Sequence, residues 1–88
     1  SWRGPLVVGV VALYMDHCTR REKDGTLAPS TAHRYRYHLR RWVSDIPPSL
    51  LVSDLTENHV NDWLDKQKRM GNAGRWTAIT DIKLCFSW

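Results

Sequence analysis

Apolar residues recur at helical spacing along most of the chain, and turn-forming residues divide the pattern into four helices. The first helix is predicted over residues 5–23, because proline suits a first helical position and Asp24-Gly25 suits a helix end. Its inward positions are predicted to be Leu6, Val10, Leu13, Tyr14 and His17. Its other side is also apolar, through Val8, Val11 and Met15. This helix is therefore expected either to pack on both sides or to dock against a neighbour.

The second helix is predicted to begin at Ser30 or Thr31, either of which can cap it, and to stop before Pro47-Pro48. On an ideal helix of about 100° per residue, five of its apolar residues fall within roughly 80° of one another. This core-facing stripe consists of Tyr35, Leu39, Trp42, Val43 and Ile46. Residues 49–54 are then predicted to form a loop that folds back on the core.

The third helix is predicted to be capped by Thr56, with Leu55 and Val60 as a hydrophobic staple, and to end at Gly71. Its inward residues are predicted to be Val60, Trp63 and Leu64. The basic residues Lys66, Lys68 and Arg69 suit its negative end.

The fourth helix is predicted to begin within residues 72–75 and to run to the last residue without a capping signal. Its inward positions are predicted to be Trp76, Ile79, Ile82, Cys85 and Phe86. We therefore expect the natural polypeptide to continue beyond residue 88. The fold class is predicted to be all-α, a compact bundle of four or five helices over residues 5–88. Residues 1–4 are expected to be a disordered lead or a cloning scar.

The second helix carries a basic face opposite its apolar stripe. That face consists of His33, Arg34, Tyr37, Arg40, Arg41 and Ser44, without a carboxylate among them. A merely solvated face is the alternative, but such faces usually mix signs so that pairs at i,i+4 support the helix. Accumulated like charge is mildly destabilising unless something negative lies opposite, so the pattern favours a polyanionic partner.

Charge along the rest of the chain is segregated in the same way. The 88 residues contain 13 Lys and Arg against nine Asp and Glu, which gives a net charge of +4 and a pI near 9.4. Residues 54–65 hold four acids and no Lys or Arg, while residues 66–75 hold four basic residues and no acid.

A chain of this length forms one domain with one small core.

Motifs for catalysis and metal binding are missing from the sequence. Four scattered histidines form no H-E-x-x-H arrangement, and there is no P-loop, G-x-S-x-G or G-x-G-x-x-G. Cys18 and Cys85 lie 67 positions apart and form no C-x-x-C pair, so we predict buried or half-buried thiols of a cytosolic protein. The apolar residues 6–15 are too few to span a bilayer. We therefore expect no catalysis within this chain and no metal, cofactor, membrane or small-molecule substrate.

The start of the fourth helix is a second candidate anion site, because helix N-termini favour phosphate. Its candidate residues are Asn72, Arg75, Thr77 and Thr80, with Lys83 further along. Arg75 is electrostatically unfavourable near the N-terminus of its own helix, which points to an external anion. Ordinary capping is the alternative.

The order of these features resembles a known family. An apolar helix ending in YMDHC is followed by L-x-P-S-T-x-x-x-Y-x-x-x-L (residues 27–39), by DLTENHVNDWL (residues 54–64) and by a helix ending in LCFSW. This arrangement resembles the N-terminal core-binding domain of tyrosine recombinases of the phage-integrase type. The resemblance implies a SAM-like helical bundle that grips duplex DNA together with a separate C-terminal catalytic domain.

The resemblance places the catalytic residues of that family in the domain that would follow this chain. His38 and Arg41 happen to spell H-x-x-R, but they lie on the second helix, and we regard the match as accidental. The implied partners are double-stranded DNA, the chain's own catalytic domain and other recombinase protomers. The implied location of this bacterial or phage protein is the cytoplasm, in association with the nucleoid when bound to DNA.

The sequence thus predicts a DNA-binding module of a site-specific recombinase. Its predicted DNA contacts are Thr31, His33, Arg34, Tyr37, Arg40, Arg41, Arg75, Thr77, Thr80 and Lys83. The first alternative is a SAM-like interaction module that self-associates through Val8, Val11 and Met15. A helix-turn-helix regulator ranks third, because the connection over residues 47–55 is too long for its turn.

Overall fold

The computed structural model describes residues 4–67 and 70–88, and within them the chain forms four α-helices and no strand. The helices are α1 (Val7–Asp24), α2 (Pro29–Val43), α3 (Glu57–Asp65) and α4 (Asn72–Ser87), with a short 3₁₀ helix, Val52–Asp54, before α3. The predicted all-α bundle of four helices is confirmed. Residues 1–3 of the expected lead lie outside the described residues.

The buried side of α1 differs from the predicted one. Its four buried residues follow helical spacing and are Val7, Val11, Tyr14 and Cys18. The inward assignment of Leu6 and Leu13 is wrong, since these side chains are 41% and 60% exposed. Both sides of α1 are apolar, so periodicity alone does not fix which side faces the core.

The start of α1 is held by backbone hydrogen bonds to residues 50–52. The N–H of Val7 donates to the carbonyl of Leu50 at 2.9 Å, and the N–H of Val52 donates to the carbonyl of Pro5 at 3.0 Å. Leu6 and Leu51 thereby form an isolated antiparallel bridge. Residues 50–52 fold back toward the core, as predicted, and they anchor the entrance to α1.

The end of α1 and the start of α2 are set by Gly25 and Pro29. Gly25 adopts φ 84°, the left-handed conformation that ends many helices, and this confirms the predicted stop. The predicted cap at Ser30 or Thr31 is wrong, because α2 starts at Pro29 with Ala28 preceding it and no side chain capping it. Proline at a first helical position has its φ already set and has no N–H to satisfy.

The apolar stripe of α2 faces the core as predicted. Leu39 and Trp42 are buried, as is Ile46 just beyond the end of α2, and Tyr35 and Val43 are partly buried against them. The indole N–H of Trp42 donates to the carbonyl of His59 on α3 at 3.2 Å. Its ring meets Phe86 of α4 edge-on, with centroids 5.8 Å apart. Trp42 therefore joins three helices.

The third helix is shorter than predicted. Thr56 precedes it as expected, and its backbone N–H donates to Nδ1 of His59 at 3.0 Å in a capping box. The helix ends at Asp65, whereas Gly71 is the residue that precedes α4, so the predicted end at Gly71 is wrong. The prediction that Lys68 and Arg69 balance its negative end falls on residues outside the described ones.

The buried side of α4 consists of Ala78, Asp81, Ile82 and Cys85. The inward assignment of Trp76 is wrong, because its side chain is 70% exposed. Ile79 and Phe86 are partly buried against the core, in line with their predicted positions.

The described residues form a flat body with extents of 39 × 36 × 18 Å. Among its helices, none combines the length and the apolar character needed to cross a membrane.

Candidate nucleic-acid interface

The outward face of α2 exposes the predicted cluster of basic and aromatic side chains. His33, Tyr37, Arg40 and Arg41 are all exposed, Tyr37 to 49%. Residues 29–43 contain no acid, so all the charged side chains that α2 itself presents are positive. We define His33, Tyr37, Arg40 and Arg41 as the basic face of α2.

Arg41 is positioned by two neighbours. Its Nη2 donates to Oε1 of Gln67, just beyond α3, at 3.3 Å. Its Cζ also lies 5.4 Å from the centroid of the Tyr37 ring, one helical turn earlier. A guanidinium stacked on a tyrosine ring keeps its outer N–H groups available to an acceptor in solvent.

Arg34 has an internal partner that the sequence did not indicate. Its Nε donates to Oδ2 of Asp81 on α4 at 3.1 Å, and its Nη2 donates to Oδ1 at 3.3 Å. Asp81 is fully buried, and His38 Nδ1 lies 2.7 Å from the same Oδ2. The expectation of a cation cluster without any carboxylate is therefore wrong at Arg34.

Arg75 is likewise held within the molecule. Its Nη1 donates to the carbonyl of Leu64 at 3.0 Å, and its Nη2 donates to Oδ1 of Asp65 at 3.2 Å. Both acceptors lie at the C-terminal end of α3, where helix carbonyls lack intrahelical partners and carry partial negative charge. The external anion inferred from the position of Arg75 in α4 is thus unnecessary, because α3 supplies the acceptors.

The two threonines of α4 donate locally. The hydroxyl of Thr77 donates to the carbonyl of Ala73 at 2.8 Å, and that of Thr80 donates to the carbonyl of Trp76 at 2.9 Å. Both side chains are half-buried, as is Thr31 on α2. Their hydroxyl oxygens still have lone pairs, but their protons are engaged in back-bonding to the helix.

Lys83 lies on another side of α4. It is exposed and lines an apolar groove of about 330 Å³ between α3 and α4, together with Glu57. Asp81 faces α2, and Lys83 follows it by two residues, which turns its side chain about 200° away. The structure therefore brings Arg34, Tyr37 and Arg41 near one another and leaves Lys83 apart from them.

The cysteines lie in the core. Cys18 on α1 and Cys85 on α4 are both free and buried. Burial raises the pKa of the Cys85 thiol to about 12, and burial also raises the pKa of Cys18. Such thiols are poor nucleophiles and poor metal ligands. In residues 4–67 and 70–88, no three His, Cys, Asp or Glu side chains are grouped so that they could hold a metal ion.

Comparison of the chain with protein-family models, with curated proteins and with solved structures found no match.

Proposed function

We propose that this chain is a DNA-binding module that grips the phosphate backbone of a duplex with the basic face of α2. Its resemblance to core-binding domains leads us to place it in a tyrosine recombinase. Strand cleavage would then be the task of a separate catalytic domain, and other recombinase protomers would share the DNA. The bacterial or phage protein would act in the cytoplasm, in association with the nucleoid when bound.

The observation that carries the proposal is the exposure of His33, Tyr37, Arg40 and Arg41 on a helix that lacks any acid. Phosphate contacts supply most of the affinity of sequence-tolerant DNA binding, and arginine is well suited to make them. Arg40 and Arg41 are assigned to phosphates. His33 and Tyr37 are assigned hydrogen bonds to the backbone or to base edges.

Arg75 is assigned a different role from the one expected from its sequence position. Its two hydrogen bonds to Leu64 and Asp65 connect α4 to the end of α3. We assign it to the fold and assign Thr77 and Thr80 to the periphery of the DNA contact. Lys83 lines the groove between α3 and α4, so we leave it outside that contact.

A salt titration tests the proposal. Binding of a fluorescein-labelled duplex is followed by anisotropy between about 50 and 200 mM salt, and the slope of log affinity against log salt gives the number of neutralised phosphates. The double variant Arg40→Ala/Arg41→Ala should reduce that slope by about 1.8, since each phosphate contributes about 0.9.

A matched control removes the same charge from α1. Arg20 and Lys23 are exposed there, so Arg20→Ala/Lys23→Ala should leave most of the slope in place. Absence of binding by the wild type at about 50 mM salt would refute the proposal, as would equal slopes for the two double variants.

Self-association is a second candidate function, favoured by exposed apolar side chains on α1. Leu6 and Leu13 share one side of the helix and are 41% and 60% exposed. The surface first expected for this role is different, because Val11 is buried and Met15 is partly buried. Sedimentation equilibrium separates the candidates: a dimer that is indifferent to DNA and lost in Leu13→Asp would favour self-association.

A further inference from the structure

We propose that Asp81 is a positioning residue that, with His38, orients Arg34 to contact a phosphate of the bound duplex. The inference rests on the proposed DNA-binding function of α2. It adds Arg34 to the contact as a residue that contributes through the orientation of its guanidinium more than through its charge.

The contact between Arg34 and Asp81 fixes the plane of the guanidinium. Nε and Nη2 donate to the two carboxylate oxygens at 3.1 and 3.3 Å, which is a side-on, two-point contact. Because both groups are planar, two parallel hydrogen bonds define their relative orientation. The Cζ of Arg34 also lies 5.3 Å from the centroid of the Tyr35 ring, which restricts the side chain further.

His38 lies on α2, one turn after Arg34, and contacts the same carboxylate on α4. Its Nδ1 lies 2.7 Å from Oδ2 of Asp81, the same oxygen that accepts from Nε of Arg34. The Asp81 side chain is 0% exposed, so its two oxygens have little freedom to turn. Asp81 is therefore a fixed support for Arg34.

The guanidinium retains donors for an outside acceptor. A guanidinium has five N–H groups, and the contact with Asp81 uses two of them. The side chain of Arg34 remains 47% exposed. A half-exposed guanidinium with its inner edge bound to a carboxylate can present its outer edge to a phosphate oxygen.

Charge alone gives Arg34 little influence on DNA binding. The buried carboxylate offsets its positive charge, so the pair adds little to long-range attraction. Its contribution comes at short range, from a guanidinium already ordered before DNA arrives, which reduces the entropy lost on binding. Preordering of this kind should depend on the guanidinium shape.

Charge-conserving variants test this dependence. Arg34→Lys keeps the charge but cannot make a two-point contact with Asp81 and also present donors outward. We expect it to weaken binding of the labelled duplex by about tenfold at low salt. Arg36→Lys is the matched control, because Arg36 lies on the same helix, pairs with Glu22 at 3.3 Å on the α1 side and is only 23% exposed. It should bind as the wild type does.

The variant Asp81→Asn distinguishes the orientation of Arg34 from its charge, because the two explanations predict opposite changes in DNA affinity. Asp81→Asn removes a negative charge near the interface, so electrostatics alone would strengthen binding. Loss of orientation predicts weaker binding in spite of that gain. Circular dichroism and thermal unfolding establish whether each variant is folded at the assay temperature. If Asp81→Asn is not folded, the comparison of Arg34→Lys with Arg36→Lys decides.

The outcomes distinguish this inference from the function on which it rests. Wild-type affinity in Arg34→Lys, or tighter binding by Asp81→Asn, would overturn the inference while leaving the Arg40 and Arg41 result intact. Absence of DNA binding by the wild type would overturn both.

Discussion

At the scale of single residues, burial changes the chemistry of the thiols between α1 and α4. A thiolate in the core loses its hydration, so the neutral form is favoured and the pKa of Cys85 rises from an ordinary 9.0 to about 12. The pKa values of Cys18 and of the neighbouring Tyr14 hydroxyl rise for the same reason.

This burial predicts loss of stability in alkali. The unfolded chain releases the Cys85 proton near its ordinary pKa of 9.0, whereas the folded chain retains it to about pH 12. The stabilisation is therefore complete below the unfolded pKa and is lost as the pH rises through this window. Urea unfolding between about pH 8 and 10 should show the decline, and Cys85→Ala, which lacks the thiol, should show a smaller one. Equal declines in both proteins would contradict this assignment.

The pairing of Asp81 with Arg34 could not be predicted from the sequence. Periodicity identified the basic face of α2 and the inward positions of Ile82 and Cys85 on α4, but Asp81 lies beside them without any sign of its partner. Its pairing with Arg34 depends on how α2 and α4 pack, which is tertiary information. The partners of Arg75 on α3 were hidden for the same reason.

At the scale of elements, α1 contains a glycine that no contact requires. Gly9 is exposed in the first turn, and a Cβ added there would meet nothing within 4 Å. Glycine in a helix interior is less favourable than alanine by about 0.5 to 1 kcal/mol.

Gly9→Ala should therefore stabilise the protein by about that amount, which is a rise in Tm of roughly 2 to 8 °C for a domain of this size. Gly25→Ala is the contrasting variant, because φ 84° strains any residue with a Cβ and should cost about 1 to 2 kcal/mol. Thermal unfolding followed by circular dichroism measures the Tm of both variants. A lower Tm for Gly9→Ala than for the wild type would contradict the expectation that alanine is accommodated at this position.

The ends of helices were predictable where a single residue, such as a glycine or a capping threonine, determines where the helix begins or ends. Gly25 and Thr56 marked the end of α1 and the start of α3 correctly. The start of α2 was misplaced because Ser30 and Thr31 are good caps in isolation, yet Pro29 already suits the first position. The rotation of α1 was misjudged since both of its sides are apolar.

At the scale of the whole molecule, Trp42 links α2 to α3 and α4. It is fully buried, and its indole N–H donates to the carbonyl of His59. Trp76 on α4 is 70% exposed and provides a matched comparison within the same protein.

Trp42→Phe should destabilise the fold by about 1 to 3 kcal/mol, because it removes a hydrogen bond and leaves unfilled volume in the core. Trp76→Phe should change the free energy of unfolding by less than about 0.5 kcal/mol. Urea unfolding of the two variants makes the comparison, and similar losses would contradict the central position of Trp42.

The antiparallel bridge between Leu6 and Leu51 determines how the molecule carries mechanical load. A force applied ahead of Pro5 meets the two hydrogen bonds that join residues 5–7 to residues 50–52 before it can act along the axis of α1. The tension would then pass into the segment that leads to α3, so we expect α1 to resist unwinding at its first turn.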